Sequence, residues 1–129
     1  MNRYIQEVIE AHVAIENWLG KGEGDVQALL ARFSPVFTMV TPGGNTLDFD
    51  SLSAFFQAQP AAKPGLKISL DQITVIAEWP AGAVVSYSEW QSLPGQENTL
   101  RHSTVVFSKT DSDLLWLHLH ETAAVEALN

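Results

Sequence analysis

The sequence has no cysteine, which excludes a disulfide framework and any thiolate metal site and leaves Ser, Thr, Asp, Glu, Lys and His as candidate nucleophiles. It has no apolar run near the ~20 residues needed to cross a bilayer. Met1 to Glu10 intersperse Arg3 with Gln6, Glu7 and Glu10, so the apolar core of a secretory signal is missing too. A soluble, cytoplasmic chain without membrane contact is expected. Basic residues are scarce, with seven Lys and Arg against fifteen Asp and Glu and a formal charge of -8. That balance repels nucleic-acid phosphates and anionic lipids, so nucleic acid is not expected as a partner and a neutral or cationic small molecule is. There is no Gly-rich phosphate loop, no Gly-x-Ser-x-Gly elbow and no His-Glu-x-x-His. Nucleotide-driven and serine-hydrolase chemistry fall away, and no cofactor is expected.

What is present reads as one domain over residues 1–129, 46% hydrophobic and 17% charged, long enough for one core and too short for two. Ile5, Val8, Ile9, His12, Ile15 and Leu19 follow a helical stripe that ends near Gly20. Gly24-Asp25 then caps a shorter helix through Val26, Leu29, Leu30 and Phe33, stopped before Pro35. Val36 to Val40, the turn Thr41-Pro42-Gly43-Gly44, and Thr46-Leu47 predict a short hairpin. A third helix follows, capped by Asp50 with Phe49 as its staple and Leu52, Phe55 and Phe56 inward. The second half predicts four strands near Leu66–Trp79, Ala83–Leu93, Thr99–Lys109 and Leu114–Thr122. Leu66, Ile68 and Leu70 alternate in one phase and Ile73, Val75 and Ala77 in the other, which implies a bulge near Asp71-Gln72.

Gly24-Asp25, the stretch Phe33 to Gly44 and the strand Trp116-Leu117-His118-Leu119-His120-Glu121-Thr122 occur in an order and spacing that resembles the nuclear transport factor 2-like superfamily. The likeness is greatest to its SnoaL-like members and to the calcium/calmodulin-dependent protein kinase II association domain. The resemblance implies an α+β, cystatin-like cone, a curved antiparallel sheet wrapped around three N-terminal helices. It leaves function open, since the superfamily holds isomerases, dehydratases, cyclases, hydrolases and non-catalytic assembly domains. The kinase domain shares the His-x-His of the last strand but continues with Arg where this chain has Glu121.

Strand parity sorts the polar residues. On the last strand Leu115, Leu117, Leu119 and Glu121 share one face, expected to be concave and helix-covered, and Trp116, His118 and His120 share the other. Hairpin pairing then puts Tyr87, Glu89, Arg101, Ser103 and Glu121 together on the concave face. Glu89 or Glu121 as base and Arg101 as electrophilic partner would suit proton transfer on a small carbonyl or hydroxyl compound. The same trio could instead be a structural ion network. His12 and Trp18 from the first helix, with Tyr87 and Ser103, complete the expected ligand-binding set. On the convex side Trp90, His102, Trp116, His118 and His120 are expected to form a homodimer interface, because this fold commonly packs that face against a second subunit. Three imidazoles there could also hold Zn or Ni, but no metal site is assigned. A non-catalytic dimerisation or sensory domain is the alternative to a ligand-binding one.

Overall fold

The computed structural model describes residues 1–124. Helix α1 spans Arg3–Lys21, where Asn2 caps its start by accepting from the backbone N–H of Tyr4 and Ile5. Gly22, left-handed at φ 67°, closes it through the Trp18 carbonyl. No described helix is long and apolar enough to cross a membrane.

Helix α2 is shorter than expected, Val26–Leu30, capped by Asp25. Phe33 and Pro35 leave it for strand β1, Phe33–Val40. A proline is tolerated there because the pairing of β1 is interrupted between Phe33 and Thr38, so no ladder bond is asked of Pro35. Strand β2, Thr46–Asp48, pairs back on β1. Helix α3, Phe49–Ala58, is capped by Asp48 and not Asp50: the Asp48 carboxylate accepts from Ser51 N–H at 2.9 Å, and Asp50 sits inside the first turn.

Four long strands follow: β3 Lys67–Trp79, β4 Gly82–Ser92, β5 Thr99–Lys109 and β6 Leu114–Ala123. With β1 and β2 they make one six-stranded sheet in the order β2-β1-β6-β5-β4-β3. Every pair is antiparallel except β1 with β6, which run parallel. More than half of the chain lies between these two strands, which supplies the long crossover that parallel pairing requires. In β3 the register shifts between Asp71 and Thr74, and Gln72 takes φ 55° there, which is the bend the alternation implied.

The helices lie on the concave face and form an α+β layout. Tyr4, Val8 and Ala11 of α1 are fully buried against Phe107 and Trp116, with Tyr4 and Phe107 rings 5.4 Å apart and Phe107 and Trp116 rings 5.0 Å apart. Trp116 is therefore a correction. Expected on the convex face, it is 2% exposed in the core, and its indole N–H donates to Glu7 at 3.0 Å. The cause is a second bulge: Val106 faces His118 while Phe107 faces Trp116, so Leu117 is an extra residue and the alternation resets.

Candidate functional site

C-terminal to that bulge the parity is regular. Glu89 of β4 stands opposite Arg101 of β5, Tyr87 opposite Ser103, and Ser103 opposite Glu121 of β6. Because these residues alternate with outward ones, five polar side chains share the concave face. Above them α1 lowers His12 from the same stripe that carries Val8 and Leu19. A cavity of about 240 Å³ opens between this polar group and an apolar wall that includes Phe33, Phe37, Met39, Leu52, Phe56 and Leu119. His12, Glu89, Gln91, Arg101 and Glu121 line it, with Thr41 and Lys63. A larger groove of about 360 Å³ lies on the outside, between α1 and α2, but it contains no buried titratable group.

The central contact is a buried pair. His12 Nδ1 lies 2.7 Å from the Val8 carbonyl, which can only accept, so Nδ1 carries a hydrogen. The other ring nitrogen, Nε2, is 3.1 Å from Glu89 Oε1. That contact needs one more proton, held either as imidazolium facing carboxylate or as neutral imidazole facing a carboxylic acid. Glu89 Oε2 meanwhile accepts from the Gln91 amide at 2.7 Å. Burial disfavours the charged imidazole, yet the hydrogen bond and charge of Glu89, the Val8 carbonyl and the charge of Glu121 together hold His12 above its ordinary 6.5. Burial likewise pushes Glu89 up, but His12, Gln91 and Arg101 outweigh it and hold the carboxyl below 4.5. Both directions describe the ion pair.

Glu121 is the weaker partner of its own pair. Its Oε2 accepts from Ser103 Oγ at 3.0 Å, and its Oε1 accepts from Arg101 Nη1 at a long 3.3 Å. Burial, then repulsion from Glu89, raises the Glu121 carboxyl above 4.5, and Arg101 and Ser103 offset this only in part. Tyr87 is 2% exposed, and its ring meets the edge of the His12 ring at 5.2 Å. Its hydroxyl has no hydrogen-bond partner among the described residues. Burial, with Glu121 and Glu89 behind it, keeps that phenol protonated well above its usual range. The cluster thus offers a shared proton, a carboxylate able to take one up, and a fixed guanidinium.

Of the expected residues, Glu89, Arg101, Glu121 and His12 line the cavity. Tyr87 and Ser103 lie beneath it, contacting the ring of His12 and the carboxylate of Glu121. Trp18 does not reach it: at 100° per residue it stands about 120° around α1 from His12, and its indole N–H donates to the Phe56 carbonyl at 2.7 Å, tying α1 to α3. Gln91 was missed as a site residue, although its position two residues along from Glu89 puts it on the same face. Lys63 sits in an aperiodic loop that carries no sequence signal, and Phe33, expected on the second helix, opens strand β1.

On the convex face Trp90 is 42% exposed, and His102 and His120 are exposed. His118 is half-buried and hydrogen-bonded to Thr38 Oγ1 at 2.8 Å, and His102 to Ser88 Oγ at 3.0 Å. His102 faces Thr122 while His120 faces Thr104, a diagonal placement. Among the described residues no cluster could hold a metal ion.

Comparison with known proteins supplies the class. An NTF2-like protein of unknown function from Pseudomonas aeruginosa is 38% identical, over 95% of this chain and 98% of that one, with a TM-score of 0.90. The chain belongs to the NTF2-like family. It is also similar in fold to the CaMKII hub homology domain of Chlamydomonas reinhardtii (TM-score 0.75, 20% identity, 95% of this chain and 96% of that one). The association domain of C. elegans CaMKII gives a TM-score of 0.73 at 13% identity, covering 93% of each chain. No protein-family model matches the chain, and none of the curated proteins does.

Proposed function

We propose that this chain is a small-molecule-binding, SnoaL-like member of its family, whose concave cavity takes a compact, mostly apolar ligand and moves a proton to or from it. The observation that carries the reading is the His12–Glu89 pair, a single proton shared between two buried groups at the polar end of an apolar cavity. Its volume, about 240 Å³, falls just under the roughly 300–1,000 Å³ of drug-sized sites, which favours a small ligand. Glu89, which lines the cavity and is held in place by His12, serves as base. Glu121, poised to accept or return a proton, and Arg101, set toward a developing oxyanion, complete a cofactor-free acid–base set. Exchange of the α-protons of cyclohexanone in D₂O, followed by NMR, tests it. The protein should accelerate exchange, and Glu89→Gln should reduce that acceleration about a hundredfold. Exchange no faster than in buffer would end the catalytic part.

Self-association through the convex face is a second, compatible reading. It is supported by Trp90, exposed on the same face as His102 and His120, which no described helix covers, and by the two neighbours described as hub homology and association domains. In a purely assembling protein the cavity would have no ligand, and the buried ion pairs would serve the fold alone.

A further inference from the structure

We infer that the ligand of this cavity is a compact organic cation, an ammonium whose head sits among His12, Glu89 and Glu121 and whose apolar body lies against Phe33, Phe37 and Phe56. The inference rests on the cavity being a ligand site, as proposed above, and adds the charge class. Count the charges that face the polar end. Strands β4 and β6 each contribute a carboxylate almost sealed from solvent, Glu89 at 4% and Glu121 at 6% exposure. Against them β5 supplies Arg101, whose side chain is 25% exposed and reaches one oxygen of Glu121 at 3.3 Å. Lys63 lies in the half-exposed loop lining the cavity, where water screens it. The remaining positive charge, on α1, exists only while His12 holds its second proton.

Two buried negative groups therefore face one fixed cation, Arg101, one at the half-exposed rim, Lys63, and one that is removable, His12. The consequence shows at three of the four buried titratable groups: burial and then the neighbouring carboxylates make Glu121 and Tyr87 hold their protons more tightly than usual, Glu89 and Glu121 do the same for His12 against the effect of its burial, and only Glu89, paired with His12, gives its own up more readily. A site that attracts protons attracts other cations by the same potential. The ammonium head carries three N–H donors, and the site presents three acceptors once His12 is neutral: Nε2, a Glu89 oxygen and a Glu121 oxygen. The ligand's charge then replaces the proton of His12, which leaves to solvent, so charge is conserved in the cavity. Aromatic rings behind the head suit a cation better than an anion, and the formal charge of -8 steers cations toward the molecule.

Calorimetric titration of the whole chain with three matched probes, benzylamine, benzyl alcohol and benzoate, at pH 6 and pH 8 in buffers of different ionisation enthalpy, decides the matter. Benzylammonium should bind at least tenfold more tightly than either of the others, bind more tightly at pH 8 than at pH 6, and release up to one proton at pH 6. Glu121→Gln, or Glu89→Gln if the first variant does not fold, should lower benzylammonium affinity about tenfold or more and leave benzyl alcohol little changed. Equal or tighter binding of benzyl alcohol or benzoate keeps the cavity as a ligand site and overturns the cationic class. Binding of none of the three overturns both.

Discussion

With Nδ1 committed to the Val8 carbonyl, His12 offers Glu89 a single nitrogen, and the pair stands or falls on one proton. Removing one member of such a buried pair strands the other. Glu89→Ala should cost about 3–5 kcal/mol, measured by urea denaturation near pH 6. The pH dependence has a definite shape. His12 is raised above 6.5, so the stability it adds is complete below 6.5 and fades as pH rises through its folded value. Glu89 is lowered below 4.5, so its contribution is complete above 4.5 and fades as pH falls through its folded value. The stability difference between wild type and Glu89→Ala should therefore be greatest between pH 4.5 and 6.5, and a difference that is flat with pH would contradict the ion pair. Glu121 runs the other way from Glu89: raised, it loses stability as pH climbs from 4.5 through its folded value, and Glu121→Gln should remove that slope.

At the scale of elements, the strand half of the chain was legible because alternation and turn residues agree there, and even the β3 bulge showed as a change of phase. The second bulge did not show, because Leu115, Leu117 and Leu119 alternate without a break and conceal the extra residue. Only pairing with Phe107 reveals that Trp116 turns inward. The Asp48 and Asp50 caps are equally plausible in sequence, and the difference is decided by which carboxylate reaches the Ser51 N–H. The β4–β5 hairpin carries the cluster's register, so it also offers a test. A Cβ at Gly82 would overlap the Phe107 carbonyl oxygen across the ladder. Gly82→Ala should destabilise by about 1–3 kcal/mol, seen as a lower denaturant midpoint, whereas an unchanged midpoint would mean the strands are farther apart than described. Trp116→Ala, which empties the core beside His12, should cost about 3–5 kcal/mol.

For the whole molecule, sequence parity carried Glu89, Arg101 and Glu121 to one face, since even a pairing slip of two residues preserves the face. A hairpin that set Gln91 opposite Arg101 would gather the same cluster as the one observed, in which Gln91 faces Thr99 and Glu89 faces Arg101. Parity along strands says nothing of depth or of what the helices add, which is why Trp18 was misplaced and Lys63 and Phe33 were not seen. The convex face belongs to this scale too. Sedimentation should show a dimer that Trp90→Glu converts to monomer, and a monomeric wild type would leave that face without a partner copy.

The most direct measurement is the ¹⁵N spectrum of the His12 imidazole across pH, with and without benzylamine. The account predicts that Nδ1 stays protonated throughout, that Nε2 loses its proton only above pH 6.5, and that the amine moves this loss to lower pH. An imidazole that titrates at or below 6.5 and ignores the amine would contradict the shared proton and, with it, the cavity as a site.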